Sequence, residues 1–256
     1  MIKALSVKKI RYLEEAAKKI GLSERILIEN ASSNLTAIID NLKLGKKVCV
    51  IAGRGNNGAD ALACARKLAA RNYSVYVIIL TPSLEFHGLR PWVGGAGRRP
   101  TGENEKGLTG YTRGAPEEKD FNAEVKFQKG ILEKIKIPVY IISPGNIKKF
   151  KKLIRASDFI LDGILGIGAH GELSWFLKKI IRDINESAKK IVSCDVPLGL
   201  SVDSGDKLGE AIKADYTITF IAPKPGFFKN YGKALCGKIY VTDIGASVDM
   251  LRKVRK

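Results

Sequence analysis

The sequence predicts a single α/β domain with a largely parallel sheet and helices on both of its faces. Seven apolar runs of strand length occur along the 256 residues. Most of these runs alternate with stretches of helical periodicity, the pattern that βαβ crossovers produce. The first predicted strand also ends in a glycine-rich turn that leads into a helix, as in doubly wound sheets that bind ligands.

Two helices are expected before the first strand. Apolar residues at helical spacing predict the first over 6–20, with Ser6 as its cap and Gly21 just past its end. The same criteria predict a second helix from Ser23 to about Asn41. An ordinary dinucleotide-binding domain tends to open with its strand, so these two helices set the chain apart.

The other predicted elements begin at residue 47. Strands are expected over 47–52, 74–80, 138–142, 158–163, 190–195, 215–221 and 237–243, and helices over 57–71, 122–135, 147–155 and 173–187. Because the last two strands follow each other without a predicted helix, we expect the sheet to be mixed at that edge. The domain is expected to span 1–247 and to be followed by a basic tail over 248–256.

One segment, 83–121, fits neither a helical nor a strand period and is rich in Gly, Pro and Arg. Loops of this length are uncommon inside compact domains. The segment leaves the carboxyl end of the second strand, where ligands bind in such sheets, so a functional lid is one interpretation. A flexible insertion or a sequence error is favoured over a lid. No site residue is assigned to this segment.

The composition is ordinary for a globular protein, with 45% hydrophobic and 27% charged residues. A membrane span is not expected because no run of 18 or more apolar residues occurs. The N-terminus lacks a signal-peptide layout, so a cytoplasmic location is the default. Four scattered cysteines and two histidines do not suggest a zinc site.

The net charge of +18 attracts polyanions and small anions alike. Aromatic and basic residues are not interleaved in the manner of RNA-binding sheets. A lysine-rich solvated surface is therefore favoured over a nucleic-acid interface, which stays open as an alternative.

The glycine-rich turn at Gly53, Gly55 and Gly58 fits the spacing G-x-G-x-x-G. Such glycines let the backbone turn tightly and approach phosphates, while the next helix presents free N–H groups to an anion. A carboxylate for the ribose is missing from the end of the second strand, where 75–83 reads VYVIILTPS. The turn therefore predicts a nucleotide-like ligand but does not favour a nicotinamide dehydrogenase.

Polar residues end three later strands. Asp162 closes the fourth strand, and Asp195 closes the fifth just before a rigid turn at Pro197. A carboxylate at such a position can act as acid, base or ligand. For Asp162 taken alone, a structural role as a helix N-cap or in an Asx turn is favoured over a functional one. Lys224 follows the sixth strand in a proline-bounded turn, where the alternative is a loop lysine in solvent.

Taken in order, these motifs resemble the YjeF N-terminal domain, the family of NAD(P)HX epimerases. They are IENA at 28–31, GxGNNGxD at 53–60, DxxxGxG at 162–168, DxPxGLxxDxG at 195–205, TFxAPKPG at 219–226 and GxxxxxDIG at 237–245. The resemblance covers about 7–80 and 122–247, and the combination is more specific than any one motif.

The resemblance implies a three-layer α/β/α Rossmann-like fold and often a homodimer. The family's reaction interconverts the R and S epimers of NAD(P)HX, which is NADH or NADPH with water added to the nicotinamide ring. A dehydratase partner, expected here as a separate chain, can then repair both epimers. A route through loss and re-addition of the hydroxyl would form an iminium-like cation, which the Asp195 carboxylate can stabilise while it carries the proton.

Carried over by position, the resemblance also implies the site residues. NAD(P)HX would be bound by Asn56, Asn57, Gly58, Ala59, Asp60, Gly166, Ile167, Gly168, Ala169, His170, Gly171, Glu172 and Asp195. A potassium ion, which suits oxygen ligands, would be bound at Asn57, Asp162 and Leu198. Asp195 would be the catalytic residue. Two positions depart from the family pattern, since the family has serine at Leu198 and glycine at Ala59.

Two other functions remain as alternatives. One is a non-catalytic member of the same family that binds a nucleotide, RNA or a protein as a scaffold module. The other is a dinucleotide-dependent oxidoreductase, which the missing ribose carboxylate does not favour. Intact Asn57, Asp162 and Asp195 favour the epimerase, because a binding module has little need of all three.

Overall fold

The computed structural model describes residues 3–81, 121–169 and 171–253. The segment 83–121 therefore lies outside the described residues except for Phe121, whose side chain is buried. Among the described residues, no helix has both the length and the apolar character that crossing a membrane requires.

The described chain forms seven strands and eight α-helices, and the sequence predicts all of them in this order except the last two helices, which are short. The helices are α1 (Val7–Lys19), α2 (Glu24–Leu42), α3 (Asn56–Ala69), α4 (Ala123–Lys134), α5 (Phe150–Arg155), α6 (Trp175–Asn185), α7 (Gly232–Leu235) and α8 (Val248–Arg252). The strands are β1 (Lys47–Ala52), β2 (Ser74–Leu80), β3 (Val139–Ile142), β4 (Phe159–Gly163), β5 (Lys190–Cys194), β6 (Tyr216–Phe220) and β7 (Lys238–Thr242).

The seven strands form one sheet in the order β3-β2-β1-β4-β5-β6-β7, and every neighbouring pair is parallel. The expectation of a mixed edge was wrong. The chain returns from β6 to β7 through a 3-10 turn at Pro225–Phe228 and the single-turn helix α7. These elements are too short to show a helical period in the sequence, although they are long enough for a parallel crossover.

The sheet separates two apolar clusters, which makes three layers. Side chains alternate along β1, so Val48 and Val50 pack into one cluster with residues of α1 to α4. Cys49 and Ile51 point to the opposite cluster with residues of α5 and α6. The predicted α/β/α fold with two N-terminal helices is confirmed.

The IENA motif is structural. Glu29 on α2 accepts hydrogen bonds from Arg66 of α3 (2.6 Å) and from Gln128 of α4 (3.2 Å), and it pairs with Lys67 at 2.8 Å. Burial raises the pKa of Glu29, but the hydrogen bonds from Lys67 and Arg66 outweigh it and lower that pKa to about 2. One carboxylate therefore joins three helices.

The motif at 237–245 contacts the IENA motif at 28–31. The side chain of Asn30, beside Glu29 on α2, donates to the carbonyl oxygen of Ile244 at 3.1 Å. Gly245 has a φ of +97°, and a Cβ atom there would lie 2.0 Å from Asn30 Nδ2. The predicted tail 248–256 begins with α8, whose Leu251 is buried in the first apolar cluster.

Candidate active site

The strand order places the candidate site at the carboxyl edge of the sheet. β1 and β4 are neighbours at the centre, and the order reverses between them, so their following loops diverge and leave a crevice. The glycine-rich turn follows β1, and the loop 164–174 follows β4. Asp195 follows β5 at the same edge.

The glycines of the first turn bring backbone segments together. A Cβ atom on Gly53 would lie 1.9 Å from the carbonyl oxygen of Ile164, and one on Gly58 would lie 2.2 Å from that of Gly53. Gly53 also donates a hydrogen bond to the carbonyl of Gly163 at 3.1 Å. The sequence interpretation assigned these glycines to a ligand. The structure uses Gly53 and Gly58 to pack the two loops and the start of α3 against each other.

Asp195 and Lys224 form a buried ion pair at the centre of the site. Lys224 is 1% exposed and donates to Asp195 Oδ1 and, at 2.5 Å, to Thr219 Oγ1. Asp195 Oδ1 also accepts from Thr219 Oγ1 at 3.0 Å and from the backbone N–H of Phe220 at 3.3 Å. The alternative of a loop lysine in solvent is therefore wrong.

The backbone around this pair is strained. Asp195 has a φ of +65°, and Val196 N–H donates to the carbonyl of Cys194 at 2.8 Å, which is a γ-turn centred on Asp195. Ile221 repeats this arrangement after β6, with a φ of +68°. A positive φ is unfavourable for residues other than glycine, and especially for a β-branched one. Such strain is concentrated at functional sites, where it fixes the direction of a side chain.

Asp162 is fully buried where β4 ends. Its carboxylate accepts from Ser193 Oγ at 2.9 Å and from the backbone N–H groups of Leu198 and Ile164 at 3.1 and 3.2 Å. Burial raises its pKa to about 6 despite these donors. Asp162 thus holds the β5 turn in place. The Asx-turn interpretation is partly right, because the bond to Ile164 lies within one loop.

Asn57 carries the clearest sign of an absent ligand. Both polar atoms of its side-chain amide are buried and have no hydrogen-bond partner among the described residues. A Cβ atom on Gly166 would lie 3.5 Å from the side chain of Asn57 and 3.1 Å from Asp195 Oδ2. Asn57, Gly166 and Asp195 therefore surround one space. Buried amides in folded proteins rarely lack partners, so a polar ligand is expected here.

Two more carboxyl groups interact electrostatically with Asp195. Asp60 on α3 is 9% exposed, and burial and the charge of Asp195 raise its pKa well above the usual value. Glu14 on α1 is partly buried, and burial and Asp195 raise its pKa to about 7. The sequence analysis missed Glu14. Its only signal was its position between Leu13 and Ala17 on the apolar face of the predicted helix.

The other predicted substrate-binding residues lie around the crevice. Asn56 is exposed at its rim and accepts from Asn122 at 2.6 Å. Ala59 is fully buried, and its methyl group packs in the first apolar cluster. Ile167 is partly buried, and Glu172 is exposed and paired with Lys178. The remaining loop positions are Gly168, Ala169 and Gly171, whereas His170 lies outside the described residues.

Two of the three predicted potassium ligands have suitable side-chain oxygen atoms, and the third does not. The unpartnered amide oxygen of Asn57 and the carboxylate of Asp162 are oxygen donors of the kind that hard cations prefer. Leu198 does not fit through its side chain, which is buried in the second cluster, and its carbonyl already accepts from Ile212 at 2.8 Å. Within the described ranges, no group of three His, Cys, Asp or Glu side chains could hold a metal ion.

Known proteins resemble this chain over most of its length. A family model described as YjeF-related protein N-terminus matches residues 24–90 and 110–226. The NAD(P)H-hydrate epimerase of Elusimicrobium minutum is 31% identical over 258 residues, which is 99% of this chain and 100% of that protein. The bifunctional NAD(P)H-hydrate repair enzyme Nnr of Thermofilum pendens is 28% identical over 95% of this chain, which covers 40% of that longer protein.

A solved structure has the same fold. The crystal structure of yeast ynu0, YNL200c, matches with a TM-score of 0.65 at 23% identity, covering 88% of this chain and 83% of that one. The likeness supports the three-layer architecture described above.

Proposed function

The chain belongs to the YjeF-related N-terminal family, and we infer that it is an NAD(P)H-hydrate epimerase that interconverts the R and S epimers of NAD(P)HX. The observation that carries this inference is the crevice beside β1, β4 and β5. There a strained turn holds Asp195 against Lys224, and the unpartnered amide of Asn57 faces the same space.

The chemistry assigned to Asp195 follows from its surroundings. Loss of the hydroxyl from the hydrated carbon leaves a cation that the ring nitrogen shares, and a nearby carboxylate stabilises that charge. Lys224 and Thr219 donate to Oδ1, so Oδ2 is the oxygen of Asp195 directed toward Gly166 and the crevice. Asp195 Oδ2 would contact the hydroxyl, and Lys224 would hold the carboxylate in place.

The rest of the substrate would lie along the crevice. The first N–H groups of α3, at Asn56, Asn57 and Gly58, have no acceptor within their helix and are favourable for a diphosphate. The described loop residues 166–169, 171 and 172 would lie beside the nicotinamide end, where Gly166 lies close to Asp195. Because Ala59 directs its methyl group into the core, its contribution would be through the backbone.

A potassium ion would be held by Asn57 and Asp162 and by backbone oxygens, without a side-chain ligand from Leu198. When bound, the ion supplies positive charge that compensates the buried carboxylate of Asp162. A dehydratase is the proposed functional partner, because both reactions together would repair NAD(P)HX. Homodimer formation, a separate dehydratase chain and a cytoplasmic location stay predictions, and a nucleic-acid partner stays the less favoured alternative.

The test begins with purified R- or S-NADHX and follows the epimer ratio by chromatography in the presence of potassium. Unmodified NADH with a carbonyl acceptor is the control for hydride transfer. The proposal expects the epimer ratio to relax well above the spontaneous rate without any NADH oxidation. Binding of NADHX without faster relaxation would instead indicate a non-catalytic module, and NADH oxidation would indicate an oxidoreductase.

A further inference from the structure

Epimerisation through loss and re-addition of the hydroxyl requires proton transfer on both faces of the nicotinamide ring, and a single carboxylate reaches only one face. The hydroxyl leaves the hydrated carbon on one face of the ring, and water returns on the opposite face. A group on one side can donate a proton to the departing hydroxyl, but a second group is needed to accept a proton from water on the other side.

Glu14 is a candidate for this second proton-transfer group. It lies on α1 beside the fully buried side chains of Leu13 and Ala17, and it is itself partly buried. Among the described residues it has neither a hydrogen bond nor an ion pair, and only longer-range charge interactions act on it. The next residue, Glu15, is 66% exposed and pairs with Lys18. The two neighbours therefore have opposite surroundings.

The first helix is attached to the turn that carries Lys224. Leu5, just before α1, donates a backbone hydrogen bond to the carbonyl of Pro223 at 3.0 Å. Val7 packs against the apolar cluster that contains Val196, the residue after Asp195. Glu14 thus comes from a helix that borders the Asp195–Lys224 pair, whereas Asp195 itself comes from the sheet.

Charged residues on the sheet edge, on α1 and on α3 interact electrostatically with Glu14. Asp195 and Lys224 act on it from the sheet edge, Lys18 and Arg11 from its own helix, and Glu14 in turn acts on Asp60 of α3. Burial, followed by the negative charge of Asp195, raises the pKa of Glu14 to about 7. At neutral pH both its protonated and its ionised forms are populated, which suits a group that donates and accepts.

We propose that Glu14 is a second catalytic acid–base residue of the epimerisation and serves the ring face that Asp195 does not reach. This proposal rests on the proposed function. One carboxylic acid gives its proton to the hydroxyl, the carbon–oxygen bond breaks, and water leaves while the ring nitrogen's lone pair forms the iminium bond. Water then adds to the iminium carbon from the opposite face, while the other group, which is ionised from the start, takes a proton from that water. No net oxidation occurs, and solvent restores the two protonation states.

The test is Glu14→Gln, which keeps the shape of the side chain but cannot transfer a proton. We expect epimerisation to slow by about 100-fold. Asp195 would still remove and return the hydroxyl on its own face, so exchange of that hydroxyl with oxygen-18-labelled water should persist for one epimer only. Glu15→Gln is the matched control and should leave both rates unchanged. Glu14→Asp should retain part of the activity with a shifted pH–rate profile.

Two results would overturn the role of Glu14. One is an epimerisation rate for Glu14→Gln within about threefold of the wild-type rate. Loss of a general acid–base residue lowers a rate by about 100-fold or more. The other is a folded Glu14→Gln protein in which isotope exchange is lost for both epimers to the same extent as epimerisation. That result would indicate that Glu14 only positions other groups. Failure of the proposed function itself is distinguishable, because the wild-type protein would then not accelerate epimerisation.

Discussion

The ion pair between Lys224 and Asp195 allows a quantitative prediction. Replacing Lys224 with Met keeps most of the side-chain volume but removes the cation from Asp195, a residue that is only 7% exposed. Removing one partner of a buried ion pair costs about 3–5 kcal/mol of unfolding free energy. In a chain of this size that corresponds to a melting temperature lower by about 6–20 °C. Epimerase activity should be lost at the same time.

The assay is urea denaturation of four proteins: wild type, Lys224→Met, Asp195→Asn and the double variant. Because the double variant removes both charges, its destabilisation should be smaller than the sum of the single effects by at least about 1 kcal/mol. Lys233→Met, at an exposed lysine of α7, is the control and should change stability by less than about 0.5 kcal/mol. Additive single effects, or a Lys224→Met cost near that of the control, would refute a buried pair.

Three further predictions concern the crevice and the core. Gly166→Ala places a Cβ atom 3.1 Å from Asp195 Oδ2 and should slow epimerisation about tenfold. Gly130→Ala on α4, where a Cβ atom would meet no atom of the described residues within 4 Å, should not slow it, and equal rates would contradict the geometry. The pKa of Glu29 is lowered from 4.5 to about 2. The ionised Glu29 carboxylate therefore stabilises the fold fully at pH values above 4.5, the pKa of the unfolded state. Glu29→Gln should therefore cost about 1–2 kcal/mol at neutral pH after allowance for exposure, and denaturation at decreasing pH should show that difference vanish between about pH 4.5 and 2. Leu198→Ala should lower the unfolding free energy by about 2–5 kcal/mol without changing the potassium dependence of epimerisation, and a changed dependence would place that side chain in the ion site.

The layers of the fold could be predicted because the longer helices and the strands show local hydrophobic patterns. The buried run of β1 and the apolar faces of α1 and α2 are local patterns, and the structure confirms them. The direction of β7 depended on a crossover made of a 3-10 turn and one helical turn, which contain too few residues for a period. The mixed edge was therefore a wrong expectation.

The site could be predicted only where a residue type marks a strand end. Asp162 and Asp195 stood out because carboxylates interrupt apolar runs. Lys224 was also noted after a strand, but its burial could not be predicted, because a lysine between prolines has the same local sequence whether it is solvated or buried. Its burial results from Thr219 and Asp195, the latter 29 residues away in sequence. Glu14 and Glu15 are adjacent and chemically alike, so only the packing of α1 distinguishes them.

The most direct test of the account measures relaxation of pure R-NADHX toward the epimer mixture, with potassium present, for Asp195→Asn and for Asp249→Asn. The second substitution is the matched control, because Asp249 on α8 is 85% exposed and outside the crevice. The account predicts wild-type relaxation for Asp249→Asn and a rate near the spontaneous one for Asp195→Asn. Wild-type relaxation in Asp195→Asn would contradict the assignment of the chemistry to this edge of the sheet.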